Sequence, residues 1–191
     1  MDAGVEGWED LSGFTISDIA REWKTSPFDA MLTLAERSKG AATMLFHNYS
    51  GEPQNQHALE TVLGYEACLF ETDVIVKRGG HPNPAALGTF PRILGPLVRD
   101  RRLFDLESAV RRMTGASAER FGIRDRGVLA VGKAADVVVF DAAKVSDAPP
   151  EGKQPAGRPS GIEHVFINGE HAVRAGAYQM GVRAGRVIRP S

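Results

Sequence analysis

Apolar and polar positions recur at helical spacing in four stretches of the chain. Residues 27–39 place Phe28, Met31, Leu32, Leu34 and Ala35 on one side of a helix, and Gly40 follows as a helix-ending residue. The same spacing predicts helices over residues 55–64, 90–102 and 105–122.

Short apolar runs separate these helices and indicate buried strands. Residues 41–47 form the first run, and residues 67–75 form the second, which is interrupted by Glu71, Thr72 and Asp73. Residues 78–88 are rich in Gly, Pro and Asn and predict a loop. Alternating helices and strands of this kind favour a parallel sheet with crossover helices.

The last third of the chain has a β pattern instead. An Asn-Gly pair, Asn168-Gly169, stands between two apolar runs and predicts a tight hairpin. We therefore expect a domain boundary near residues 124–126 and strands over residues 127–132, 135–140, 162–167, 170–174 and 182–188.

Composition and charge narrow the class of protein. The chain is 42% hydrophobic and 25% charged, which is typical of a globular protein. Its net charge of −1 predicts no general attraction to nucleic acid or to an anionic membrane. A single cysteine, Cys68, excludes an internal disulfide framework and suits a cytoplasmic location.

Asp73 is the first candidate for chemistry, because it follows a predicted strand of an α/β unit. Active sites of such folds collect at the carboxyl ends of the strands. A carboxylate there can bind a metal or accept a proton from water, although it can also simply cap a turn. His47 and His81 lie in or beside the same predicted edge, and each could equally be a packed neutral histidine.

Other motifs are missing from the sequence. The chain has no phosphate-binding glycine loop, no zinc-type cysteine pair, no nucleophile elbow, and no His-x-His or His-Glu-x-x-His pattern. Cys68 and the three remaining histidines read as structural or exposed residues, the histidines being His57, His164 and His171.

Several segments in order resemble the N-acyl-D-amino-acid deacylase branch of the amidohydrolase superfamily. Residues 72–95 are similar to its aspartate-containing strand end, His-Pro loop and Gly-Thr-Phe-Pro-Arg motif. Residues 106–114 are similar to the following helix. Residues 132–141, with the sequence GKAADVVVFD, resemble the return into a small β-sandwich, and residues 164–176 resemble its closing strands.

The resemblance implies an α/β fold made of a (β/α)8 barrel and a β-sandwich built from both chain ends. A complete barrel takes about 250 residues. This chain is therefore expected to supply the C-terminal part of the barrel over residues 1–123 and sandwich strands over residues 124–191. The family's His-x-His metal motif belongs to a part that this sequence does not contain.

The resemblance also implies site residues. Asp73 matches the catalytic aspartate, which would accept the proton of a water activated by zinc and could itself bind the metal. His81, in the His-Pro loop, is a candidate substrate-binding residue. Lys77 and Arg78 match no motif of the family, but either could supply a positive charge for substrate binding. Ala85 occupies the position that we align with the family's carboxylate-binding arginine, and Val74 replaces the glycine of Ser-Asp-Gly.

The function implied is metal-dependent hydrolysis of a non-peptide amide bond in a small molecule. An N-acyl-D-amino acid is the first candidate substrate, and a cyclic amide or another N-acyl compound remains open. The alternative is a catalytically inactive fragment or a structural subunit that needs a partner chain. In either case a chain carrying the missing N-terminal barrel strands is the protein partner to expect.

Overall fold

A computed structural model of the chain describes residues 11, 13–42, 44, 56–74, 83–149 and 157–189. The helices are α1 (Ile16–Glu22), α2 (Pro27–Arg37), α3 (Gln56–Gly64), α4 (Pro84–Arg92), a π-helix (Ile93–Asp100), α5 (Leu106–Met113) and α6 (Gly115–Arg120). The strands are β1 (Val137–Phe140), β2 (Ile162–Ile167), β3 (Glu170–Arg174) and β4 (Ala177–Tyr178). Each helix within these ranges falls short of the length and hydrophobicity that a bilayer-spanning segment needs.

Helices α1 and α2 form a small packed unit at the N-terminal side. Thr15 caps α1 in a capping box with Asp18, which the spacing of apolar residues had not predicted. Ser26 caps α2. The core between them contains Ile19 and Leu34, both fully buried, with Ala20, Ala30 and Leu11.

The predicted helix at residues 27–39 is confirmed, but its predicted apolar face is partly wrong. Phe28 and Leu32 are 62% and 49% exposed, whereas Ala30 and Leu34 are buried. The helix turns its Ala30 side towards α1, because small side chains allow two helices to pack closely.

Helix α4 begins at Pro84, six residues before the helix predicted over residues 90–102. Residues 78–88 were expected to be a loop, yet the helix starts at Pro84, and the side chain of Asn83 accepts a hydrogen bond from the backbone N–H of Ala85 at 3.0 Å. Proline is favoured at the first helical position because its missing N–H is not needed there. The helix continues into the π-helix, which contains Pro96 and buries Ile93, Leu94, Gly95 and Leu97.

The four strands form one antiparallel sheet in the order β1-β2-β3-β4. The predicted hairpin is confirmed, since β2 and β3 flank Asn168 and Gly169, whose φ angles are 48° and 85°. Asp136 fixes this turn by accepting a hydrogen bond from the backbone N–H of Asn168 at 2.7 Å and one from Nη1 of Arg126 at 2.6 Å.

Several predicted strands are wrong for the residues described. Cys68–Val74 and residues 127–132 form no strand, and neither do residues 41, 42 and 44 or residues 182–188. No parallel strand pair occurs in the described ranges. An apolar run becomes a strand only when a neighbouring strand supplies its hydrogen bonds, and these runs find no such neighbour among the described residues. The short strand β4 was not predicted.

The helices meet the sheet region at Val145, which is fully buried. Its carbonyl accepts a hydrogen bond from Nη1 of Arg99 at 2.6 Å. A Cβ on Gly95 would lie 2.2 Å from the same carbonyl oxygen, and a Cβ on Gly161 would lie 2.4 Å from the backbone nitrogen of Val145. The close approach of the π-helix therefore requires glycine at position 95.

The Gly95→Ala substitution tests this contact. We expect it to lower the free energy of unfolding by roughly 1–3 kcal/mol, because the backbone of Val145 must move away from the added methyl group. Gly64→Ala is the matched control, since nothing lies within 4 Å of the added Cβ at the end of α3. Urea unfolding followed by circular dichroism measures both, and equal midpoints for the two variants would contradict the close packing.

Two histidines link β2 to β3 on one side of the sheet. Nδ1 of His164 lies 3.0 Å from Nε2 of His171, and Nε of Arg174 donates to Nδ1 of His171 at 3.1 Å. An arginine Nε can only donate, so the proton of neutral His171 resides on Nε2 and points at His164. Phe166 stacks on His171 with ring centroids 4.3 Å apart.

This arrangement predicts a pH-dependent stability. Burial lowers the pKa of His171, and the positive charge of the nearby Arg174 lowers it further. The unfolded chain therefore binds the proton more readily, so stability is complete above about pH 6.5 and falls as the pH drops below that value.

The measurement is the urea midpoint at about pH 7.5 and about pH 5.5. His171→Gln should show a smaller loss on acidification than the original chain. His57→Gln, at an exposed position on α3, should keep the full loss. An unchanged pH dependence in the His171 variant would exclude His171 as its source.

Candidate active site

The segment from Cys68 to Val74 carries the aspartate that the sequence singled out. Burial alternates from Phe70 onward, with Phe70 buried, Thr72 and Val74 half-buried, and Glu71 and Asp73 exposed. One side of the segment therefore packs on the helices, and the other side, with Asp73, remains open.

Asp73 is exposed and has a φ angle of 41°, in the left-handed region. Among residues other than glycine, aspartate and asparagine enter this region most readily. The backbone thus changes direction at Asp73, and its carboxylate lies where solvent and a small molecule can reach it.

Phe70 anchors the packed side of the segment. It belongs to a buried cluster with Ile93 and Leu97 of the π-helix and Ala109 of α5. Partly buried side chains complete the cluster, namely Leu63, Cys68, Val98, Phe104 and Met113. The π-helix and α5 together form the support on which the segment rests.

Arg112 of α5 is the charged residue inside this support, with only 2% of its surface exposed. Its Nε donates to the carbonyl of Cys68 and its Nη2 to the carbonyl of Leu63, each at 2.6 Å. Its guanidinium carbon lies 4.2 Å from the ring centroid of Phe70 and 4.8 Å from that of Phe104. The cation is thus hydrogen-bonded and stacked on two rings.

The sequence contained a signal for Arg112 that the site prediction missed. Arg112 follows Ala109 by three residues, and Ala109 is fully buried, so both lie on the inner face of α5. Arg111, its neighbour, is exposed. An arginine at a core-facing position of an amphipathic helix indicates a buried hydrogen-bonding role.

Asp73 is the member of the predicted site that lies within the described part of the chain. Lys77, Arg78 and His81 lie outside the described residues, as does His47. His57 is exposed on α3. The only described member of the predicted site is Asp73.

The described ranges hold no group of three or more His, Cys, Asp or Glu side chains that could bind a metal ion. A carboxylate oxygen such as that of Asp73 suits zinc, but a zinc site needs three or four protein ligands. The described residues alone therefore do not fit a complete zinc site.

Comparison with known proteins finds longer relatives. The D-aminoacylase of Alcaligenes xylosoxydans xylosoxydans is 36% identical over 179 residues, which cover 94% of this chain and 34% of the relative. The N-acyl-D-glutamate deacylase of the same organism is 37% identical over 160 residues, which cover 84% of this chain and 30% of the relative. The chain thus spans about a third of the length of these curated relatives.

Solved structures agree with this likeness. A crystal structure of D-aminoacylase superposes with a TM-score of 0.76 at 32% identity, covering 95% of this chain and 36% of that chain. The N-acyl-D-glutamate deacylase from Bordetella bronchiseptica, solved with zinc and a phosphonate inhibitor that mimics the tetrahedral intermediate, gives a TM-score of 0.66 at 29% identity, covering 90% and 34%. Another D-aminoacylase structure concerns a binuclear metal centre.

These likenesses assign the chain to the α/β class, with a small antiparallel sheet. The family model described as "Amidohydrolase family" matches residues 81–188, which is more than half of the chain. The chain therefore belongs to the amidohydrolase family.

Proposed function

We propose that this chain contributes the proton-transferring carboxylate of an enzyme that hydrolyses the amide bond of N-acyl-D-amino acids. Asp73 is exposed on the open side of a segment whose other side is packed on the π-helix and α5. This placement, in a chain related to D-aminoacylase and N-acyl-D-glutamate deacylase, is the observation that carries the proposal.

Asp73 would act twice in one turnover. As a base it accepts a proton from water while the water oxygen bonds to the amide carbon. As an acid it then gives that proton to the nitrogen as the C–N bond breaks, which releases the carboxylic acid and the free D-amino acid. An exposed carboxylate with a fixed backbone suits both steps.

A metal ion supplies the remaining chemistry in enzymes of this type, because it polarises the carbonyl and lowers the pKa of bound water. The described residues do not complete such a site. We therefore propose that zinc, if Asp73 contributes to its binding, is bound mainly by residues outside the described ranges.

The same reasoning extends to the architecture. All four strands lie within residues 124–191 and every described helix lies within residues 1–123. This division supports a boundary near residue 124. From the likeness to D-aminoacylase we further propose that residues 1–123 belong to a (β/α)8 barrel and residues 124–191 to a β-sandwich. A cytoplasmic location, suggested by the single cysteine, remains a prediction.

Substrate recognition is proposed for Lys77, Arg78 and His81, which follow Asp73 in the chain. Two of them carry positive charge that could bind the α-carboxylate of the substrate. They would substitute for the arginine that Ala85 replaces. The relatives' names include acidic D-amino acids, so an acidic side chain is one substrate class to test.

A second candidate function is that of a non-catalytic subunit that needs a partner chain. Leu129 is 78% exposed and Val131 is fully exposed. Exposed large apolar side chains of this kind are typical of a surface that another polypeptide covers. A chain equivalent to the N-terminal barrel strands is the partner proposed in both cases.

The Asp73→Asn substitution tests the catalytic proposal. The 191-residue chain is mixed with zinc and with the N-terminal two thirds of the Alcaligenes D-aminoacylase, and release of the D-amino acid is measured. We expect Asp73→Asn to lower kcat by about 10²–10⁴-fold, because the amide cannot accept the proton.

Glu71→Gln is the matched control, since Glu71 is exposed on the same side of the segment two residues earlier. It should leave kcat close to that of the original chain. Unchanged turnover in Asp73→Asn would remove Asp73 from the mechanism. A stable assembly that binds zinc without turnover of apolar or acidic N-acetyl-D-amino acids would favour the non-catalytic subunit.

A further inference from the structure

The guanidinium of Arg112 is buried, and the loss of its hydration has an unfavourable free energy. Moving a guanidinium from water into a packed interior costs free energy unless its donors are satisfied. Among the described residues no carboxylate pairs with it. Two backbone carbonyls accept its hydrogen bonds, and two aromatic rings pack against it. These contacts suit a side chain with several donors in a fixed plane, which is arginine.

The two carbonyls lie on either side of one turn. Leu63 is near the end of α3, and Cys68 begins the segment that leads to Asp73. By bonding both, Arg112 fixes the distance between α3 and the start of the segment. The planar guanidinium also sets the direction of these bonds, which an ammonium group does not.

The contact with Phe70 extends this control along the segment. Phe70 lies two residues after Cys68, and its ring packs against the guanidinium. Arg112 therefore contacts the inner side of the segment at two residues, Cys68 and Phe70. Asp73 lies on the opposite side, as the alternating burial shows.

We infer that Arg112 is a positioning residue for Asp73, holding the segment Cys68–Val74 so that the carboxylate faces the open side. This inference rests on the proposed function of Asp73, which Arg112 itself does not touch. Arg112 acts through the backbone of Cys68 and the ring of Phe70.

Cys68 offers a direct readout of this role that is independent of activity. It is the only cysteine of the chain, and it lies half-buried at the carbonyl that Arg112 binds. Its rate of reaction with a thiol reagent under native conditions reports how often the segment opens. In Arg112→Met we expect this rate to rise by about tenfold or more, because both carbonyl bonds are lost.

Arg112→Lys keeps the charge but cannot reproduce the two directed bonds, so its rate should lie between those of the original chain and Arg112→Met. Arg111→Met is the matched control, since it removes an exposed arginine at the adjacent position. Its Cys68 rate should be that of the original chain. Circular dichroism checks that each variant is folded. If Arg112→Met does not fold, the Cys68 rate of Arg112→Lys is compared with that of the original chain instead.

Kinetics in the zinc-containing mixture with the N-terminal part of the relative give the second readout. A misplaced carboxylate should lower kcat by about 10²-fold with little change in KM, because the substrate still binds. A general loss of folded protein would instead lower the amount of active enzyme in proportion to the unfolded fraction seen by circular dichroism.

The outcomes separate the inference from the proposed function. A faster Cys68 reaction together with a lower kcat supports Arg112 as a positioning residue. An unchanged Cys68 rate in folded Arg112→Met overturns it, and so does a faster Cys68 reaction with unchanged kcat. Absence of turnover in the original chain's mixture overturns the proposed function, and with it the catalytic part of the inference, while the Cys68 rates still decide whether Arg112 holds the segment.

Discussion

The proposed position of Asp73 depends on the buried guanidinium of Arg112. The guanidinium of Arg112 is enclosed by two carbonyls and two rings, and these contacts join α3, α5 and the segment before Asp73. The arrangement combines a cost, the loss of water around a charge, with a gain in directional bonds. Structure of this kind favours accuracy of position over maximal stability.

The rest of the described chain is organised around a second close approach, between the π-helix and Val145. Glycine at position 95 lets the helix backbone touch the strand-region backbone, and Arg99 reinforces the contact by donating to the same carbonyl. Arg92 adds an ion pair to Asp147 at 3.1 Å. The face of the π-helix that contacts Val145 is thus fixed, while Ile93 and Leu97 pack in the cluster with Phe70.

Features determined by neighbouring residues could be predicted from the sequence, whereas features determined by distant ones could not. The hairpin around Asn168 and Gly169 was predicted with the bounds of β2 and β3, because the turn chemistry is local. Residues 41–47 and 67–75 were predicted as strands from their apolar content alone. Strand formation depends on a neighbour that a single run of sequence does not reveal.

The same distinction applies to the site. Asp73 was a candidate from its position after a predicted strand and then from a family resemblance, and the structure shows its side chain exposed. Arg112 was overlooked because arginines in a helix usually mark the solvent face, and only its spacing from Ala109 places it inside. Pro84 was predicted to lie in a loop, but it is the first residue of α4, a position that proline favours.

The exposed valines at the edge of the sheet have a consequence for handling the protein. Val138 and Val139 of β1 are 52% and 45% exposed on a strand whose outer edge is unpaired among the described residues. Such an edge can pair with a strand of a second copy of the chain. Self-association through this edge requires two copies of the chain to meet, so dilution favours the separate chain.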